Sequence, residues 1–284
     1  MSVDVAVKKA WYQGQGGLRL AADCYGDPSA IPVILLHGGG QDRRAWRSAA
    51  ATIAAAGFYV VALDLRGHGE SDWSPEGDYS FESYAADIAA VIEQLGPPAY
   101  LAGASLGGRG ALVATSLYPD DVFGLALIDV APSLDPENSL RYQTFLRSAR
   151  EGFADVEAAA QMLNKLMGRP SGSNVEKLRP YMREGEDGKL YWRWDPAFIE
   201  PRFVNRPDEI EVLERYAASI RKPILLIRAE LSEVLREEDV MRFLEVAPHT
   251  IVRLAGGVGH MLTGDSNDVH APILVDFLLQ TAEA

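Results

Sequence analysis

Short apolar runs bounded by turn residues recur along the chain: Val33 to Leu36 in IPVILLHGGG, Tyr59 to Leu63 in FYVVALDLRG, Ala99 to Ala102, Leu125 to Val130, Ile224 to Ile227 and Thr250 to Leu254. Successive apolar residues over so few positions fit strands buried on both faces of a parallel sheet. Helical spacing fills the gaps. RRAWRSAAATIAAAG ends at Gly57, a natural C-terminal stop. SFESYAADIAAVIEQLG opens on Ser80, with Ser83 following, and halts at Gly96-Pro97-Pro98. Strand and helix in alternation predict an α/β fold with a mostly parallel central sheet flanked by helices. Alternating polar and apolar residues in KKAWYQGQGGLRLAADCYG predict an antiparallel start to that sheet.

The alternation breaks after about Pro132. ENSLRYQTFLRSAR and FADVEAAAQMLNKLMG read as amphipathic helices and NVEKLRPYM as a shorter one, while DGKLYWRWDPAF is aromatic and less regular. No convincing buried strand intervenes before Pro223 restarts the sheet with ILLIRAE. The expected organisation is a core in two parts, residues 1–131 and 221–284, with a helical cap inserted over 132–220.

Composition narrows the function. At 284 residues, with 48% hydrophobic and 24% charged, the chain has apolar material for a sizeable core. A net charge of −13 opposes contact with a phosphate backbone, so no nucleic-acid partner is expected. Cys24 is the single cysteine, which excludes an intramolecular disulfide and a multi-cysteine metal site; neither metal nor cofactor is expected. MSVDVAVKKAWYQGQGG lacks the apolar run of a secretion signal, and no stretch approaches the roughly 18 apolar residues of a membrane span. A cytoplasmic protein acting on a small molecule, with no membrane association, is the expectation; oligomeric state is not legible.

The chemistry centres on LAGASLGGRG. Gly103-Ala104-Ser105-Leu106-Gly107 is G-x-S-x-G, after a strand and opening a helix. A sharp strand-to-helix turn forces the serine into strained geometry, and flanking glycines remove the clashes that side chains would make. The hydroxyl then projects above the sheet edge, with the N–H of Leu106 placed to meet an oxyanion. A serine needs a base. Of five histidines, His37 reads as a brace for its loop, His68 lies in a Gly-rich turn, and His249 and His270 are flanked by loop or surface residues. His260, in LAGGVGHMLTGD, comes after the last strand and is the expected base. The orienting carboxylate is expected at Glu233, following ILLIRAELS, with Asp129, at the end of LALIDV, as the alternative; both satisfy the order serine, acid, histidine. Glu230 and Asp64 are weaker options. HGGG at 37–40 offers backbone N–H groups close to a developing oxyanion, Gly39 being the candidate second donor.

HGGG, DLRGHGESD, GASLGG, a late-strand Glu and GGVGHM together resemble the α/β-hydrolase superfamily over nearly the whole chain. LLHGGGQDRRAW, DGKLYWRWDPAF and GHMLTGDSND are similar to a capped bacterial branch whose members are labelled esterases, epoxide hydrolases or relatives of a menaquinone-pathway synthase. The resemblance implies an α/β-hydrolase fold with a lid at the insertion, Ser105 as nucleophile, His260 as base, and Gly39 with Leu106 as oxyanion donors. That branch usually shows Ser-Asp-Val where this chain has Ser232-Glu233-Val234. Epoxide hydrolases and haloalkane dehalogenases of the fold carry aspartate at the elbow, so Ser105 speaks for acyl transfer. The expected activity is hydrolysis of a small ester through an acyl-enzyme, with Gly40, Trp46, Trp192 and Trp194 lining the substrate pocket. Two alternatives are carbon–carbon cleavage, elimination or perhydrolysis by the same triad, and a ligand-binding module without turnover.

Overall fold

The computed structural model describes residues 7–166, 175–200, 203, 208–259 and 269–282. The chain opens with β1 (Lys8–Gln13) and β2 (Arg19–Tyr25), then β3 (Pro32–Leu36), α1 (Arg47–Ala55), β4 (Tyr59–Leu63), α2 (Phe81–Leu95), β5 (Ala99–Ala104), α3 (Ser105–Leu117) and β6 (Val122–Ile128). The segment between β6 and the next sheet strand carries α4 (Pro136–Ser148), α5 (Val156–Leu166), α6 (Val175–Leu178), the short strands β7 (Met182–Glu184) and β8 (Leu190–Trp192), and α7 (Glu209–Ser219). The core resumes with β9 (Ile224–Leu231), α8 (Glu237–Val246), β10 (Ile251–Gly259) and α9 (Ala271–Ala282).

Eight strands form one sheet in the order β1-β2-β4-β3-β5-β6-β9-β10. β1 and β2 run antiparallel, as the alternating start predicts, and the remainder from β4 to β10 is parallel. The continuous apolar runs have a direct cause: both faces of the inner strands are covered. Along β3, Ile34 and Leu36 enter one core layer while Val33 and Leu35 enter the other. The same split holds in β4, where Val61 and Leu63 face away from Val60 and Ala62, and in β9, where Ile224 and Leu226 face away from Leu225 and Ile227. All of these side chains are buried, and burying each stabilises the fold by roughly 1.5–3 kcal/mol for a residue the size of Val or Leu.

Local signals set the helix ends. The Ser80 hydroxyl accepts the backbone N–H of Ser83 at 3.2 Å and starts α2. Gly96, at φ 86°, ends it. One face of α2 buries Tyr84, Ile88, Val91 and Ile92 against the sheet. Gly57, at φ 99°, follows α1.

The segment between β6 and β9 departs from an all-helical reading. DGKLYWRWDPAF contributes β8, which pairs antiparallel with β7, and Phe153 bridges to Leu190. Three-residue strands give too little alternation to register as a pattern, and their pairing is stabilised by distant partners. Arg193 O accepts the N–H of Gly69 at 2.7 Å, and Gly67 O accepts that of Asp195 at 2.7 Å, so the ribbon is stitched to the turn after β4. The Arg183 guanidinium lies 5.3 Å from the ring of Trp73 and 5.1 Å from that of Tyr191. α7, within the same insertion, packs on α3 beside the sheet. Among the described residues no helix is long and apolar enough to cross a membrane.

Candidate active site

β5 delivers the chain to Ser105, the first residue of α3, at φ +46°. A non-glycine residue in the left-handed region costs roughly 1–3 kcal/mol and persists only where its surroundings enforce it. The enforcement here is steric. A β-carbon built at Gly103 would stand 2.5 Å from Gly108 N, and one at Gly107 2.5 Å from Leu36 O. Neither position admits a side chain, so both glycines of G-x-S-x-G are required by close backbone approach.

The 37–40 loop lies against this turn. Gly107 donates its N–H to His37 O at 3.1 Å. A β-carbon at Gly38 would be 3.5 Å from Ser105 Cβ, and one at Gly39 3.8 Å from Leu106 Cβ. The expected oxyanion donors, Gly39 and Leu106, therefore sit beside each other. The loop is braced by two buried imidazoles. His37 Nδ1 donates to Gly38 O at 2.8 Å and its Nε2 accepts Leu65 N–H at 3.1 Å. His68 Nδ1 donates to Arg66 O at 3.0 Å and its Nε2 accepts Gly40 N–H at 3.2 Å. Burial holds the pKa of His37 down to about 4 and that of His68 to about 3, so both are neutral at pH 7 and can accept as drawn. His37 braces its loop, as its place in HGGG predicts, and His68 does the same from the facing turn.

Carboxylates divide by burial. Asp129 follows β6 at φ +50° and is 1% exposed. Its Oδ1 accepts Ala229 N–H at 3.0 Å and its Oδ2 the Ser232 hydroxyl at 2.8 Å. Glu233 lies one residue beyond that serine, exposed, between β9 and α8. Glu230 is exposed and accepts Gly257 N–H at 2.7 Å. Asp64 is consumed by the DLRGHGESD turn, where it accepts from Arg43 N at 2.6 Å, from Glu70 N at 2.8 Å and from the Arg43 guanidinium. His260 lies outside the described residues. His270, read from the sequence as flanked by loop or surface residues, is itself buried just ahead of α9, with no hydrogen-bond partner on either ring nitrogen among the described residues. Burial lowers its pKa, and the nearby Asp129 charge opposes that shift.

The expected pocket residues separate. Gly40, at φ +73°, and Trp194 are neighbours: a β-carbon at Gly40 would be 3.8 Å from Trp194 Nε1. Trp194 meets Phe198 edge-on at 5.4 Å, and Phe198 in turn lies 4.5 Å from the His68 ring. Trp192 packs edge-on with Phe153 at 5.8 Å. Trp46 joins the core layer of Val33, Leu35 and Ile53. Two residues at this site escaped sequence reading: Phe198, against which a β-carbon at Gly39 would stand at 3.2 Å, and Tyr142, whose hydroxyl donates to Gly39 O. Both come from the insertion, and no sequence signal ties them to residue 39. Among the described residues no group of three or more His, Cys, Asp or Glu could hold a metal.

The family described as alpha/beta hydrolase fold matches residues 31–265. An esterase of Mycobacterium tuberculosis is 29% identical over 245 residues, 84% of this chain and 79% of that protein. A 2-(acetamidomethylene)succinate hydrolase of Mesorhizobium japonicum is 27% identical over 225 residues, 78% of each chain. The crystal structure of an E-2-(acetamidomethylene)succinate hydrolase superposes with a TM-score of 0.78 at 22% identity, covering 98% of this chain and all of that one.

Proposed function

The chain belongs to the alpha/beta hydrolase fold family, and from that premise we propose that it is a serine hydrolase that cleaves a small carboxylic ester through an acyl-enzyme. The observation that carries the reading is Ser105 at φ +46°, held there by glycines that have no room for a side chain. Esterase and hydrolase relatives support a hydrolase and a small substrate.

His260 takes the Ser105 proton as Oγ attacks the ester carbonyl, and the tetrahedral oxyanion is met by the N–H groups of Gly39 and Leu106. Protonated His260 then gives its proton to the leaving alcohol, and water repeats the cycle on the acyl-enzyme. Asp129 is the proposed orienting acid in preference to Glu233. A carboxylate that fixes an imidazole works best shielded from water and held by its own donors, and Asp129 has both, whereas Glu233 lies on the surface. The insertion acts as a cap over the site, contributing Phe198 beside Gly39 and Trp194 beside Gly40. Trp46 and Trp192 serve packing.

Pre-steady-state hydrolysis of a short-chain nitrophenyl ester tests the reading. A nitrophenol burst stoichiometric with protein, lost in Ser105→Ala, is the expected result. Turnover that survives Ser105→Ala, or ligand binding with no turnover at all, would refute it.

A further inference from the structure

Two glycines at an oxyanion loop solve one problem and create another. Without side chains, the backbone of residues 39 and 40 can approach the nucleophile, but the peptide joining them is also free to rotate. In this protein that peptide is held at both ends. Its N–H, from Gly40, donates to His68 Nε2 at 3.2 Å, and its carbonyl oxygen, from Gly39, accepts the hydroxyl of Tyr142. The two restraints come from different parts of the chain: His68 from the turn after β4, Tyr142 from α4 in the insertion. Gly38 is fixed separately, its N–H donating to Gln41 Oε1 at 3.0 Å. The N–H of Gly39 finds no acceptor among the described residues.

We infer that Tyr142 is a positioning residue for the oxyanion hole: its hydroxyl pins the carbonyl on one side of the Gly39 Cα, and with the preceding peptide held through Gly38 O by His37 Nδ1 and Gln41 N–H, Gly39 N–H is presented to the oxyanion formed on Ser105. The inference rests on the serine-hydrolase reading above. Packing gives α4 a defined seat for this task, since a β-carbon at Gly40 would meet Leu146 at 3.0 Å and the Tyr142 hydroxyl at 3.4 Å. Burial raises the Tyr142 pKa well above its ordinary value, so the hydroxyl keeps its proton and remains a donor across the working pH range. The consequence is functional coupling. The oxyanion hole reaches its working geometry only with α4 docked, so enclosure of the substrate and activation of its carbonyl become one event.

Tyr142→Phe removes one oxygen and keeps the ring. Losing an oxyanion donor outright costs roughly 100- to 1,000-fold in kcat, and a misaimed donor should cost about 10-fold or more. The expected result is a fall in kcat for a nitrophenyl ester with KM little changed and an unaltered melting temperature. Affinity for a short-chain alkyl boronic acid, which forms a tetrahedral adduct on serine, should fall by a similar factor. An unchanged kcat and boronate affinity would overturn the inference alone, leaving the hydrolase reading intact. So would kcat, KM and melting temperature worsening together, the behaviour of a side chain that only packs. A wild-type protein that neither turns over the ester nor binds the boronic acid would overturn both readings.

Discussion

Gly107 and His37 are joined backbone to backbone, the N–H of the first meeting the carbonyl of the second at 3.1 Å. The contact docks the turn that carries Ser105 onto the loop that carries Gly39, and it leaves no volume at Gly107: a β-carbon would lie 2.6 Å from His37 O. Gly107→Ala must push the two segments apart. Overpacking of this kind costs about 1–3 kcal/mol, and a fall in both melting temperature and kcat, measured by calorimetry and ester hydrolysis, is the expected outcome. An alanine variant with wild-type kcat would show that the spacing of the two segments is not set by this contact.

The two carboxylates make opposite claims on activity. Asp129→Asn should lower kcat by about 10,000-fold, the scale seen when a triad acid becomes an amide. Glu233→Gln should leave kcat near wild type, because its side chain is exposed. Steady-state kinetics on the two variants decides between them, and the reverse ranking would reassign the acid to Glu233.

Buried neutral histidines make stability depend on pH with a definite sign. His68 titrates near 3 and His37 near 4 when folded, against about 6.5 when unfolded. Between those values the unfolded chain binds more protons, so stability falls as pH drops below about 6.5, by up to ~1.4 kcal/mol per pH unit for each histidine. Denaturant melts at pH 7, 5.5 and 4.5 measure the slope. His68→Gln should flatten it relative to wild type, a comparison that cancels carboxylates titrating in the same window. Equal slopes for both proteins would mean that His68 is not held neutral by the fold.

Arg109 ties the segment between β6 and β9 to the helix that begins at Ser105 at two points. Its guanidinium reaches Glu209 Oε1 at 2.5 Å and Pro132 O at 3.2 Å. Arg109→Met strands the buried Glu209 carboxylate and should destabilise by about 3–5 kcal/mol. Among the described residues the pair leaves Arg109 Nε and Glu209 Oε2 without partners, so Arg109→Met with Glu209→Leu should recover most of that loss. Thermal unfolding of the single and double variants measures the difference. A double variant as unstable as the single would show that the ion pair itself, not the stranded charge, carries the stability.

What the sequence reveals follows from how local each signal is. Tyr59 to Leu63 reads as a strand because both faces are buried, and β4 has those ends. Ser80 reads as a helix start because its hydroxyl caps a residue three positions on. β10 runs past Leu254 to Gly259 through two glycines that no propensity favours; its register with β9 shifts between Ala255 and Gly259, and pairing resumes at Gly259 with Leu231. Ser105 is legible since its glycines are adjacent in sequence. Tyr142 is not, since its partner lies 103 residues away and its helix shows only ordinary amphipathic spacing. That Asp129 is buried while Glu233 is exposed is a difference strand-end position alone does not report.

Covalent labelling tests whether Ser105 is a reactive nucleophile without knowledge of the substrate. Treating the intact protein with a fluorophosphonate and mapping the adduct by mass spectrometry should find one modified residue, Ser105, with labelling abolished by Ser105→Ala. An unlabelled protein, or an adduct elsewhere that persists in the alanine variant, would contradict it.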